Sequence, residues 1–529
     1  MEKFLAKHAN DVTGALSGFD RVVFRGMLRQ LAYPFGMMGY LWAVQVLLKD
    51  FGTHAQGLAL RLREASQELA RAASRPMLYL KWSGVSKEEM ARTIAKQDGI
   101  TQGLVCILSA VEPCGSYTVV GNRATQRVTI EPRWRKCLHL YHYYIHPQFG
   151  FLNVRLQTWF PFSIQICLNG REWLARQMDA DGQGYVRYDN GFTWLQSPEA
   201  AQRLMDQQLQ ACWPVLLGDL ARRVNPFHAE MFQALPIDYY WTTFQAEWAT
   251  DILFRDRAAL ARLYPKLVHH GLVTFQSPDV MRFLGHNIAP SGSVPHGLKV
   301  EVMSDMKQRP EGVRIKHRLG SNSLKMYDKG GSAILGAGAV LRVETTINDP
   351  TAFKSFRGAQ GEPGSEVRWR KMRKGIADIH RLSEVAQSAN ERYLRALAAV
   401  EDTRSVGELA DGLCKPTIHV GRRVRALNPY APADAALLEA ISRGEFCING
   451  LRNRDLRARL FPGTPPSPDV QRRQSAAVSR KLALLRAHGL IKKLHGTHRH
   501  HLTAEGRATI AALIAARHAS ADSLTKLAA

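Results

Sequence analysis

Between residues 77 and 189 the apolar residues settle into a period of two, through GLVCILSAV (103–111), CLHLYHYYI (137–145), FLNVRLQ (151–157) and SIQICLN (163–169). That period sends successive side chains to opposite faces, so these runs read as strands. Turns at 146–150 (HPQFG) and 160–162 join them antiparallel. The segment NGREWLARQMD closes the series as a helix with Asn169 at its cap. A sheet of this kind needs helices on it to bury its apolar faces, which makes the fold class α+β.

Helices are expected on both sides of this stretch. Residues 1–76 begin with a β-like run, FDRVVFRGM (19–27), and continue as LWAVQVLLKDF and LALRLREASQELARAA, with apolar residues three and four apart. Residues 189–284 read as mostly helical, and PSGSVP (290–295) reads as a linker or surface loop. Strands resume in KVEVMSDM, GVRIKHRL, NSLKMYDK and VLRVETTIN. VRLQTWFPFSIQICLNG (154–170) is echoed by VRIKHRLGSNSLKMYDKGG (313–331), consistent with a duplicated module. The expected domains are an N-terminal strand and helices (1–76), an α+β body (77–349) and a basic helical connector (350–405). The body would have related halves near 77–189 and 296–349, and a winged helix-turn-helix would follow at 406–529.

Charge points to a polyanionic partner. The chain of 529 residues carries 71 Lys and Arg against 46 Asp and Glu, a net charge of +25. An excess of that size favours a phosphate backbone, with DNA ahead of RNA as the expected partner. The 7 cysteines are scattered and form no C-x-x-C pair, so neither a disulfide framework nor a cysteine zinc site is expected, and a reducing cytoplasm fits. No apolar run approaches the roughly 20 residues of a membrane span, and MEKFLAKHANDVTG lacks the apolar core of a signal peptide. No membrane partner is expected.

The tail 471–507 (QRRQSAAVSRKLALLRAHGLIKKLHGTHRHHLTAEGR) runs helix, basic hairpin, helix, the shape of a winged helix. Its recognition helix would present Arg472, Arg473, Ser479, Arg480 and Lys481 to phosphates or base edges, with Val478, Leu482, Leu485 and Leu490 turned inward. A wing of Lys492, Lys493, His495, His498, Arg499, His500 and His501 would lie on the backbone. In the body, Tyr143 and Arg155 belong to an aromatic and basic sheet edge of the kind that stacks bases and tracks phosphates.

A second constellation has the parts for phosphodiester chemistry. KMYDK (325–329) and LRVETTIN (341–348) would bring Tyr327, Asp328, Lys329, Arg342 and Glu344 to one sheet edge. Asp20, in GFDRVVFRG, adds a strand carboxylate. Asp20, Asp328 and Glu344 are the candidate ligands for Mg²⁺ or Mn²⁺, with Lys329 or Arg342 steadying phosphoryl charge and Tyr327 or a metal-held water attacking phosphorus.

GSNSLKMYDKGG followed by VLRVETTIN resembles a run in some rolling-circle replication initiators, which implies nicking through Tyr327. Asn322 stands where those proteins often carry arginine, and no His-hydrophobe-His motif precedes it; alternation puts His139 and His142 on opposite faces. The order Asp20, Glu344 and then Asp349 or Asp378 is similar to that of RuvC-like and RNase H-like nucleases, which clamp metal between carboxylates. FDRVVFRG, RIKHRLGSNSLKMYDK and LRVETTIND, with the tail, resemble a group of bacterial proteins bearing a MarR-like winged helix; this implies a bacterial cytoplasmic setting and carries no activity over. The expected function is nucleic-acid binding in a mobile-element, replication or defence role, with metal-dependent cleavage or nicking by the body. A non-catalytic regulator and an RNA or single-strand binder are the alternatives.

Overall fold

The period-two runs do form strands, and they collect into one sheet with helices packed on it. The computed structural model describes residues 1–518 apart from 83, 123, 125, 289–300, 310–311, 330–337, 360–361, 363, 399–405, 420, 443–445, 447–449, 464 and 495–496. The expected linker at 290–295 and His495 lie outside these residues. The chain divides into a larger unit (9–260 and 321–390) and a smaller one (1–8, 261–320 and 391–529). The expected halves thus fall differently: 77–189 lies wholly in the larger unit, whereas 296–349 is divided after Gly320.

The strands are β1 (Val12–Met27), β2 (Met77–Tyr79), β3 (Gly103–Asn122), β4 (Arg127–His146), β5 (Gly150–Gln157) and β6 (Ile164–Asn169). They continue with a small hairpin, β7 (Tyr185–Arg187) and β8 (Phe192–Leu195), then β9 (Tyr240–Phe254). A hairpin of the smaller unit, β10 (Val302–Arg309) and β11 (Gly312–Leu319), precedes β12 (Asn322–Asp328) and β13 (Ala339–Thr346). In the larger unit the strand order is β12-β13-β9-β1-β6-β5-β4-β3-β2. Neighbours are antiparallel except β2 and β3. The architecture is α+β.

Two expectations change. The segment read as helical from 189 to 284 contains β9, fifteen residues long. Its Trp, Tyr, Phe, Thr and Ile content suits a pleated, buried surface better than a helix. The basic connector likewise includes a hairpin, Lys354–Arg357 with Arg368–Lys371, where RWRK forms a strand. The β-like run near the N-terminus extends to the whole of β1 and sits mid-sheet between β9 and β6, because both of its faces are apolar enough to bury.

Close packing fixes the sheet against its helix. Asn169 Oδ1 accepts from the backbone N–H groups of Arg171 and Glu172 at 2.8 and 3.0 Å and so caps the helix α1 (Gly170–Ala180). A Cβ on Gly170 would lie 1.8 Å from the Phe19 carbonyl oxygen, so only glycine lets the helix start this near β1.

In the smaller unit the tail runs through the helices Pro432–Ile441, Asn453–Leu460 and Pro468–Ala487, the hairpin Ile491–Lys493 with His500–Leu502, and the helix Ala504–His518. Val478, Leu482, Leu485 and Leu490 are all buried in its core with Leu438, Leu456 and Leu502. The helix starts at Pro468, earlier than the sequence suggested, with Ser467 as its cap. Among the described residues no helix is long and apolar enough to cross a membrane.

Candidate functional site

Three carboxylates from adjoining strands meet in the larger unit. Asp20 leaves β1, Glu247 β9 and Glu344 β13, and one oxygen of each lies within 4.8 Å of the others. Thr346 stands opposite Glu247 in register, so alternation places Glu344 on the same face. β1 reaches that face through a bulge: Phe19 pairs with Trp248 and Arg21 with Glu247, leaving Asp20 as the extra residue between them. A bulge re-aims a side chain and bends its strand, and here it turns Asp20 toward the glutamates.

Cations and hydrogen bonds hold the cluster. Lys325, opposite Glu344 in register, places Nζ 2.5 Å from Glu344 Oε1 and 4.0 Å from Glu247 Oε1. Tyr327 donates its hydroxyl to Glu344 Oε2 at 2.9 Å. Arg342 is fully buried. It donates Nη1 to Asp20 Oδ1 at 2.7 Å and clasps both oxygens of Asp251 through Nε and Nη2 at 2.5 and 2.8 Å. Arg171, also fully buried, donates Nη2 to Asp251 Oδ2 at 3.0 Å. Asn190 donates to Asp20 Oδ1 at 2.7 Å and accepts from Asn169, linking the helix cap to the site.

Asp20, Glu247, Asp251 and Glu344, four carboxylates, thus face three cations, Arg171, Lys325 and Arg342. The pKa directions follow from who holds which donors. Burial and then the Glu344 charge raise Asp20 against the pull of Arg342. Burial and Glu344 likewise raise Glu247. Burial acts on Glu344 too, but Lys325, Arg342 and the Tyr327 hydrogen bond outweigh it and lower its carboxyl. Burial and the Glu344 charge push the Tyr327 phenol well above its ordinary value. Asp20 also faces a cavity of about 520 Å³, with Arg21, Arg92, Glu172, Arg187 and Asn190 among its walls. The donor set is all oxygen, which suits a hard divalent cation such as Mg²⁺ or Mn²⁺.

The structure brings together Asp20, Glu344, Tyr327 and Arg342 of the expected residues. Asp328 does not join them: it follows Tyr327 on a strand, so it points to the opposite face and pairs with Arg257 at 3.3 Å. Asp349 and Asp378 are also elsewhere; the first accepts from Thr351 N and the second pairs with Arg357. Lys329 pairs with Asp189 at 2.6 Å. Arg342 spends its donors on Asp20, Asp251 and the Asn190 carbonyl, so it positions Asp20 and is not a free charge stabiliser.

Tyr143 is not a base-stacking platform, since it is buried in a cluster with Ala91, Val105, Leu108 and Phe151. Arg155 is tied to Glu112 at 3.0 Å. His139 and His142 are buried; Ser66 Oγ lies 3.0 Å from His142 Nε2, and His139 Nδ1 lies 3.2 Å from the Cys137 carbonyl.

On the tail, Arg472, Arg473, Arg480, Lys492 and Lys493 are exposed, and Lys481 is half-exposed. Arg472 pairs with Asp469 at 3.2 Å. Ser479 Oγ accepts from Asn453 Nδ2 at 2.8 Å and so ties two helices together. Arg499 lines a cavity of about 470 Å³ with Arg452, Arg454 and Arg459. His500 and His501 do not extend the basic wing: both are buried, burial lowers their pKa, and His501 Nδ1 lies 3.1 Å from Gln276 Oε1.

Glu247, Asp251 and Arg171 escaped the sequence reading. Their signal was present: Glu247 and Asp251 sit four apart, on one strand face, inside the otherwise apolar run YWTTFQAEWATDILF. Comparison of the chain with protein-family models, curated proteins and solved structures finds no match.

Proposed function

We propose that this chain acts on nucleic acid, DNA ahead of RNA, through metal-dependent phosphodiester cleavage at Asp20, Glu247 and Glu344, with the tail as a winged-helix binding arm. The observation that carries the reading is the convergence of these three carboxylates beside a cavity, in a network where, with Asp251, the carboxylates outnumber the bonded cations. Raised carboxyl groups in a cleft are a common mark of a functional site. A divalent cation bound there supplies Lewis-acid stabilisation of phosphoryl charge and a nucleophilic water. Lys325 orients Glu344 and steadies negative charge, and Arg342 and Asn190 fix Asp20. Tyr327 donates its hydroxyl to Glu344, which supports a role in orienting that carboxylate, with water as the attacking group. The order of helix, helix and two-stranded hairpin, with exposed Arg473, Lys492 and Lys493, supports the binding arm.

The test is incubation of the full chain with single- and double-stranded DNA and RNA, with and without Mg²⁺ or Mn²⁺. Product that needs the metal and disappears in Glu344→Gln supports the reading. Binding without turnover in every condition would leave the regulator, a reading favoured by the engagement of Glu344 with Lys325 and Tyr327.

Metal binding should also show in stability. Folded Asp20 and Glu247 hold protons to higher pH than the unfolded chain does, so their stabilising contribution is full below the ordinary carboxylate value and is lost as pH rises through their raised values. A bound cation offsets that loss. Mn²⁺ is expected to raise the melting temperature little near about pH 4 and progressively more toward about pH 7; equal shifts at both ends in thermal melts would contradict this. For the arm, replacing Arg473, Lys492 and Lys493 with alanine is expected to flatten the slope of log affinity against log salt by roughly 0.9 for each phosphate no longer neutralised. Duplex titrations at several salt concentrations measure it, and an unchanged slope would remove these residues from the interface.

A further inference from the structure

A basic concavity of the smaller unit, open to solvent and of about 850 Å³, lies between the hairpin Thr417–His419 with Arg422–Val424 and the helix Pro468–Ala487. Arg422 and Arg423 of the hairpin and Arg480 and Lys481 of the helix are among the residues that line it. These four make no ion pair within 4.0 Å among the described residues, and the described lining contains no carboxylate. Arg425 shares the wall but is clasped by Asp434 through both guanidinium Nη atoms at 2.8 and 2.6 Å, which fixes the end of the hairpin. His488 Nε2, 2.9 Å from the Arg425 carbonyl, adds a second tether. These contacts tether the end of the hairpin, while Arg422, Arg423 and Arg480 are exposed and Lys481 half-exposed beside the concavity.

The floor is of a different kind. Val424, Ala477, Ala483 and Leu484 are aliphatic and half-buried or buried, so the cavity joins a cationic rim to an apolar base. A track for a phosphate backbone needs only the rim and is open along its length. A concave site of roughly 300–1,000 Å³ with an apolar lining and a few convergent charges is the form taken by small-ligand pockets. Guanidinium groups also stack on flat rings as well as pairing with phosphate oxygens.

We propose that this cavity binds a nucleoside polyphosphate, with the phosphates on Arg422, Arg423, Arg480 and Lys481 and the base over Ala483 and Leu484. The site is independent of the carboxylate cluster and of whether the tail binds nucleic acid. Because Arg480 and Lys481 belong to the helix read as the recognition helix, an occupied cavity withdraws two of its cations.

The experiment is calorimetric titration of the full chain with ATP, tripolyphosphate and adenosine in the absence of divalent cations, which keeps the carboxylate site out of the measurement. ATP is expected to bind with a micromolar Kd, tripolyphosphate more weakly and adenosine not measurably. The double variant Arg422→Glu, Arg423→Glu is expected to raise the ATP Kd at least about tenfold. Ala483→Trp, which fills the floor and leaves the rim, is expected to weaken ATP but not tripolyphosphate, with circular dichroism confirming that each variant folds. No heat from ATP, or ATP binding indifferent to both variants, overturns the proposal. Loss of duplex binding in the charge-reversed variant, with no displacement of duplex by ATP, overturns it in favour of a nucleic-acid strand in the cavity.

Discussion

Arg342→Met is expected to destabilise the larger unit by about 3–5 kcal/mol, the cost of stripping a buried ion pair of one partner. The guanidinium is inaccessible to solvent and is the shared donor for Asp20 and Asp251. Methionine fills much of the volume but leaves Asp251 with Arg171 alone and Asp20 with Asn190 alone. Both carboxylates would then take up protons on folding, so the loss should be smaller in acid than at neutral pH. Urea denaturation at two pH values measures both effects. A variant within about 0.5 kcal/mol of the parent at neutral pH would mean that the network carries no net stability.

Glu247→Gln is expected to abolish metal-dependent cleavage, by roughly 10³-fold, since a metal contributes several kcal/mol to a phosphoryl-transfer barrier and each 1.36 kcal/mol is a factor of ten. It should at the same time raise the melting temperature of the metal-free protein at neutral pH. Glu247 is held near Glu344 with its carboxyl raised by burial and by that like charge, and an amide removes the repulsion while keeping the shape. Opposite signs for activity and stability are the mark of a group retained for chemistry. A variant that loses activity and stability together would instead make Glu247 a structural partner of Lys325. Asp20→Asn should lose activity similarly but gain no stability, because Arg342 and Asn190 both donate to that carboxylate.

Much of this site was legible in the sequence. Glu344 and Tyr327 were singled out by the paired runs KMYDK and LRVETTIN, in the first of which Lys325 also lies, and Asp20 by its place in a strand and the order Asp20, Glu344. Asp328 was misplaced through proximity in sequence, although adjacent strand residues cannot share a face. Glu247 and Asp251 were lost when their segment was read as helical; periodicity alone does not separate a long apolar strand from a buried helix when both faces are covered, and the aromatic and β-branched content of the segment was the signal that does. The bulge at Asp20 had no sequence signal, since it is set by the register with β9, more than two hundred residues later. Likewise the tail's apolar stripe could be read from helical spacing, while the surroundings of the buried His501 include Gln276, far along the chain.

The central position of β1 also bears on how the protein is made. Asp20 and Arg342 are 322 positions apart, and no described residue nearer in sequence supplies a cation to that carboxylate within bonding distance. At about 5–20 residues per second, a ribosome needs roughly 16–64 s to add those residues. Throughout that interval the carboxylate of the middle strand exists without the cation that neutralises it, and until β6 and β9 have been made the edges of that strand also offer unpaired backbone groups. The charge network at the middle of the sheet is therefore completed only once Arg342 has been made, long after the strand that carries Asp20.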